Sequence, residues 1–296
     1  MPEKSSFAFD YKREDVELVR QTCLYVATKL GDLLDDLVVV GGLVPSLLIP
    51  DESLPAGEDV HIGTMDLDLG LSLALLDTKR YEDLTLRLYR ADFKPDENEE
   101  GNPTLQRWKI TPATDLKVTV DFLIPPSLAA DKGGDLRHIE KDFAAVITPG
   151  LHLAFQDKKK VSLESFTLLG EKANREIWVC GPGAFVVLKA LAFDQRGENK
   201  DAYDLYFVIR NYGSGIDDVC RCLSPLLKEV ETKKALEILN RDFSESDGVG
   251  PSRVAQFQYA GPDADLQADV AGFTKELLTK CDRATQNTFE IRYEQQ

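Results

Sequence analysis

The chain has 296 residues, enough for one large domain or two ordinary ones with a sizeable core. Hydrophobic residues at 43% and charged residues at 29% are those of a soluble globular protein and exclude wholesale disorder. A formal net charge of −16 repels phosphate backbones, which excludes a general nucleic-acid-coating protein; it suits a soluble cytoplasmic protein or one that gathers carboxylates around a metal.

From the N-terminus, Met1 to Asp10 carries no apolar run behind a basic head, so no secretory signal is expected. Val16, Val19, Cys23, Val26, Leu30 and Leu33 recur at steps of three and four, which predicts an amphipathic helix closed by Asp35 and Asp36. Leu37 to Val40 follows as a short, fully apolar strand, ended by Gly41-Gly42. Leu43 to Ile49 reads as a short helix that tolerates Pro45 in its first turn. The apolar stretch Leu37 to Ile49 is broken by Gly41, Gly42 and Pro45 and falls short of the roughly 18 to 20 residues of a membrane span, so no membrane partner is expected.

Pro50 to Asp59 is a loop rich in Pro, Gly and acids. His61 to Leu73 alternates, with Thr64, Asp66 and Asp68 on one side and Met65, Leu67 and Leu69 on the other, as a strand with one apolar face does. Tyr81, Leu84 and Leu88 mark a helix, and Asp92 to Asn102 reads as a polar, acidic loop. Strands are expected at Leu105 to Thr111 and Lys117 to Ile124, joined through Pro112 to Asp115. In the second, Val118, Val120, Phe122 and Ile124 share one face, with Thr119, Asp121 and Leu123 on the other. Leu151 to Phe155, Val161 to Leu169 and Ile177 to Val179 read as further strands, and Lys158-Lys159-Lys160 as a hairpin tip.

Beyond Gly181-Pro182-Gly183, helices are expected at Ala184 to Arg196, Asp201 to Asn211, Ile216 to Glu231 and Ala271 to Cys281. The sequence therefore predicts an α+β protein, with a mixed sheet flanked by helices over 1–181 and a mostly helical domain over 182–296. Five cysteines without a Cys-x-x-Cys make neither a disulfide framework nor a zinc ribbon, and Cys220 and Cys222 are a weak metal signal. His61, His138 and His152 have no ligand spacing between them, and a reduced cytoplasm fits the set.

Three features carry chemistry. Gly41-Gly42 ends a strand just before a helix, where glycine lets backbone approach an anion and the helix start offers unpaired N–H groups; this pattern can hold a triphosphate or be a plain tight turn. Asp66 and Asp68, at i and i+2 of a strand, point to one side, and two like charges so placed call for a cation, the hard Mg²⁺ above all; a solvated edge face is the bland alternative. Asp121 is a lone acid in an apolar strand and is costly to bury unpaired. Were its strand to lie about 4.8 Å from that of Asp66, three carboxylates would meet and clamp two metals.

The ordered set Gly-Gly, Asp-x-Asp, Asp resembles the nucleotidyltransferase superfamily of polymerase beta and the aminoglycoside-modifying enzymes. Lys189-Ala190-Leu191-Ala192-Phe193-Asp194-Gln195-Arg196 leading into Lys200-Asp201-Ala202-Tyr203-Asp204-Leu205 is similar to the AbiEii/AbiGii toxin-type branch, and the likeness runs from about Val38 to Ile209. It implies a Mg²⁺- or Mn²⁺-dependent transfer of NMP from an NTP to an acceptor hydroxyl on an RNA 3′ end, a small molecule or a protein, together with a cognate antitoxin. It assigns metal binding and catalysis to Asp66, Asp68 and Asp121, nucleotide binding to Gly41, Gly42, Thr64 and Lys189, and acceptor or phosphate contacts to Arg196, Lys200, Asp201 and Asp204. Two departures stand out: 50–59 looks inserted between the glycines and Asp66, and Gly42 stands where a Ser hydroxyl would grip phosphate. They keep open a non-catalytic nucleotide- or partner-binding protein. A third reading is an interaction protein whose acidic loops, Asp51 to Asp59 and Asp92 to Glu100, bind a basic partner.

Overall fold

The structure is a computed structural model that describes residues 6–57, 59–72, 78–110 and 118–293. Two compact units are present, one made of 11–47 and 62–180, the other of 4–10, 48–61 and 181–296. The α+β class is as expected: the first unit is built on a mixed sheet and the second is helical.

In the first unit, α1 (Arg13–Leu30) buries Val19, Cys23, Val26 and Leu30 along one stripe. Glu14 and Asp15 sit in its first turn, where they complement the helix dipole, and Gly31 at φ +56° ends it. The chain continues as β1 (Leu37–Val40), buried throughout, and a tight turn at Gly41–Leu43 leads into α2 (Val44–Leu48). Next come β2 (Asp66–Leu71), α3 (Thr78–Arg90), β3 (Lys94–Glu97), β4 (Pro103–Ile110), β5 (Val118–Ile124), β6 (Leu136–Glu140), β7 (Phe143–Ile147), α4 (Leu153–Gln156), β8 (Lys158–Phe166) and β9 (Lys172–Cys180).

The strand order is β3-β4-β5-β2-β1-β9-β8, with β7 pairing to both β5 and β6. β2 lies at the centre, antiparallel to β1 and parallel to β5. Its period-2 pattern buries Leu67 and Leu69 and leaves Asp66 and Asp68 half-buried on the other face. β5 does the same, burying Val118, Val120, Phe122 and Ile124 and leaving Asp121 half-buried. Trp108, Phe122 and Phe143 pack at ring-centroid distances of 4.9 to 6.1 Å beneath this part of the sheet.

Several expectations are corrected. The strand expected from His61 begins only at Asp66, and its expected end at Leu73 lies outside the described residues, as does the turn at 112–115. Part of the expected polar loop 92–102 is β3, which closes a hairpin with β4 through backbone pairing that needs no apolar signal. Leu153–Gln156 is helical, because a run this short and apolar does not distinguish strand from helix. Lys158, Lys159 and Lys160 open β8 opposite Cys180, Val179 and Trp178; the tip of that hairpin is at 167–171. Two of these lysines stack over the Trp178 ring, with Nζ at 4.2 Å for Lys158 and 5.3 Å for Lys160.

The second unit holds α5 (Pro182–Arg196), α6 (Asn199–Asn211), α7 (Ile216–Leu223), α8 (Val230–Asp242), α9 (Val249–Tyr259) and α10 (Ala264–Tyr293). The single helix expected over Ile216 to Glu231 is interrupted at 224–226, where Pro225 has no N–H to continue it. Pro182 starts α5 and Gly197, at φ +64°, ends it, the usual placement of these two residue types. Among the described residues, no helix is long and apolar enough to cross a membrane, and no disulfide forms.

Candidate active site

β2 and β5 set the geometry. Their parallel register places Asp68 directly opposite Asp121 and Asp66 opposite Thr119. Residues at i and i+2 of a strand share a face, so all three carboxylates lie on one side of the sheet. Among the described residues their oxygens do not form a group mutually within 4.8 Å of one another. The face therefore gathers the three acids without closing them into a preformed cage.

The glycine pair meets this face from β1. Val40 pairs with Asp68, and the next residue, Gly41, turns at φ +71°. A Cβ at Gly41 would stand 1.9 Å from Oδ2 of Asp68 and 2.7 Å from its Cγ. Glycine is required here on two grounds, and the group approaching its backbone is the Asp68 carboxylate. Gly42 is buried in the same turn. Thr64, also buried, stands just before β2, and its Oγ1 accepts a hydrogen bond from the Asp66 N–H at 3.4 Å.

Arg107, which the sequence reading does not single out, completes the face. It lies on β4 directly opposite Asp121. Its Nε donates to Asp121 Oδ1 at 2.6 Å and its Nη2 to Oδ2 at 2.5 Å. This is the parallel two-bond fork that guanidinium and carboxylate form best. Hydrogen bonding to Asp121 is the largest of the influences that raise the Arg107 pKa, and the charges of Asp66 and Asp68 add to it. The signal was available: Trp108 and Ile110 are the apolar face of β4, so Arg107 and Lys109 must take the other.

Three carboxylates and one guanidinium meet on this face, and Lys109, which pairs with Asp96 and Glu97, shares it. Carboxylate oxygens are the donors that Mg²⁺ and Mn²⁺ prefer, so the residues fit such an ion. Asp66, Asp68 and Asp121 could hold it, and both Asp121 oxygens already accept from Arg107.

The candidate residues from the helical half form a cluster within the second unit. Asp201 and Asp204, three apart on α6, are at most 1% exposed. Lys189 donates to Asp201 at 2.9 Å and to Asp204 at 2.7 Å. Arg196 makes a two-bond fork with Asp201, at 2.5 and 2.7 Å, and Lys200 donates to Asp204 at 2.7 Å. The two acids orient these cations. Burial alone would raise both carboxyls, but the surrounding cations hold Asp201 and Asp204 below the usual carboxylate range. For Lys189 burial acts downward, and the two carboxylates outweigh it and raise the pKa.

His61 is the member that sequence reasoning missed, because a lone histidine outside any ligand spacing gives no signal. Its Nε2 lies 2.8 Å from Asp204 Oδ1. The ring stacks on Tyr203 at 5.4 Å and meets Phe207 edge-on at 4.9 Å. Burial pushes the imidazole down to about 4, against the upward pull of Asp204, so it is neutral near pH 7.

No family model matches this chain, and no curated protein matches it. Among solved structures, an antigenic nucleotidyltransferase-like protein from Paracoccidioides brasiliensis is similar over 74% of this chain and 93% of that chain, with 17% sequence identity and a TM-score of 0.36. A likeness at that level carries no argument about what this chain does.

Proposed function

We propose that the protein is a Mg²⁺-dependent nucleotidyltransferase that moves NMP from an NTP to an acceptor hydroxyl. The observation that supports this reading is the register of Asp68 against Asp121 with Asp66 on the same face. A divalent ion on Asp66 and Asp68 would neutralise triphosphate charge and ease deprotonation of the attacking hydroxyl. The hydroxyl oxygen bonds to the α-phosphorus, the bond to the bridging oxygen breaks, and pyrophosphate leaves with that electron pair. Asp121 is the residue to receive the hydroxyl proton: a carboxylate has about four lone-pair sites, and Arg107 uses two of them. Thr64 and the backbone at Gly41 and Gly42 are the candidates to position phosphates.

The AbiEii/AbiGii toxin-type branch, with the antitoxin it implies, rests on the run Lys189 to Leu205. For Lys189, Arg196 and Lys200 the resemblance implies phosphate or acceptor contacts. Within the second unit they are the partners of Asp201 and Asp204.

Incubation with each α-labelled NTP, Mg²⁺ and cellular RNA, resolved on a gel, tests the reading. Labelled product is expected from the native protein and none from Asp66→Ala of unchanged fold. Equal labelling by the variant sinks the assignment. One observation favours a second reading, nucleotide or partner binding without transfer: the guanidinium that already occupies Asp121. Calorimetric binding of NTP with Mg²⁺, without pyrophosphate release on any acceptor, is the outcome that selects it.

A further inference from the structure

We propose that the outer edge of β8 is a self-association surface, along which two copies of the chain pair antiparallel about a two-fold axis at Ser162. The inference is independent of the proposed activity and holds whether or not the acidic face transfers nucleotides.

β8 ends the strand order, and among the described residues it pairs with β9 alone. Its other side is a strand edge nine residues long, about 30 Å, and an edge of that length is a template for another strand. The side chains form two rows. Leu163 is buried on the inner row with Val161 half-buried beside it, and Lys160, Ser162, Glu164 and Phe166 are exposed on the outer row. Phe166 is a large apolar side chain left 55% exposed.

The occupant follows from charge complementarity, because the sequence of β8 complements itself in one register. With Ser162 opposite Ser162 of the second copy, Lys160 faces Glu164 twice and Val161 faces Leu163 twice. Lys158 then lies opposite Phe166, whose exposed ring its aliphatic stem can cover. All nine residues of each strand are paired, and inner and outer rows continue across the junction, since opposed residues share a face. A slip of two residues sets Glu164 opposite Ser162 in one direction and Lys159 opposite Leu163 in the other, and either slip shortens the ladder. The lysines at the start of β8 guard the edge against most strands, and Glu164 makes a second copy the exception. Within one copy Lys160 pairs with Glu176 and Glu164 with Lys172, each at 3.1 Å between exposed groups. Exposed pairs of this kind are weak, so they share their charges with a partner at little cost. Backbone hydrogen bonds hold the two copies, the charges select the register, and the two-fold pair uses up the edge.

Sedimentation of the full chain over about 1 to 300 µM, the range of a small interface, is the test. The native protein is expected to pass from monomer to dimer. Lys160→Glu places Glu opposite Glu164 of the second copy, and Glu164→Lys places Lys opposite Lys160. Each variant alone, its fold checked by circular dichroism, is expected to dimerise about tenfold more weakly or worse. Mixed together, the two variants oppose unlike charges at both positions, and the mixture is expected to regain dimer at the native strength. A native protein that stays monomeric throughout the range overturns the inference. So does either variant dimerising within twofold of the native protein, which would put the interface elsewhere. Two weakened variants whose mixture fails to recover overturn the register, and with it the inference.

Discussion

Gly41 and Asp68 are packed so closely that no other residue fits at position 41: an added Cβ would fall 1.9 Å from the Asp68 carboxylate oxygen. The backbone there also turns at φ +71°, a conformation that L side chains seldom adopt. Gly41→Ala is thus expected to destabilise the fold by about 1–3 kcal/mol through the backbone alone. Its larger effect is on position: Asp68 must move away, and a shift of about 1 Å at a reacting centre costs on the order of 100-fold in rate. A thermal melt beside a transfer assay checks this. A transfer rate that falls no further than the folded fraction would show that Asp68 does not act through its position.

The acidic face was legible because its strands are half-exposed. In β2 and β5 the apolar residues alternate with the acids, so Asp66, Asp68 and Asp121 stand out against Leu67, Leu69, Val120 and Phe122. What alternation cannot reveal is which strands are neighbours. That β2 and β5 pair in parallel, and that β4 brings Arg107 to Asp121, are properties of register, set by long-range packing. The helical cluster was half legible for a related reason. Lys189, Arg196, Lys200, Asp201 and Asp204 lie at helix spacings, whereas His61 reaches Asp204 across 143 residues of chain. Local pattern also failed where hydrogen bonding outweighs side-chain character, as in the polar strand β3.

Asp204 accepts from Lys189 and Lys200 and pairs with His61, with no exposure of its own. Removing it leaves buried ammonium groups without one of their counter-charges. Breaking a buried pair in this way costs about 3–5 kcal/mol, far more than the net worth of the pair. Asp204→Ala is expected to show that loss in urea denaturation, and Asp204→Asn, which keeps hydrogen-bonding capacity, a smaller one. Stability within about 0.5 kcal/mol of the native protein, the range of ordinary surface changes, would contradict the buried network.

His61 gives the fold a pH dependence with a definite sign. Burial beside Tyr203 and Phe207 lowers the imidazole to about 4, and its ordinary value is 6.5. Between those values the unfolded chain takes up a proton that the folded protein refuses. Acidification therefore favours unfolding, and stability falls by up to about 1.4 kcal/mol per pH unit from pH 6.5 toward 4. Above pH 6.5 this contribution is level. Asp201 and Asp204 act in a lower window: their depressed carboxyls lose stability only as pH drops through the ordinary carboxylate range near 3.8. The charges of Lys200 and Lys189 also act on the ring, and both push its pKa down. Urea denaturation at pH 7, 6 and 5 measures the slope. His61→Gln, which keeps an amide for Asp204 but cannot titrate, is expected to be flatter over this range than the native protein. An identical slope in the two proteins would assign the acid sensitivity to another group.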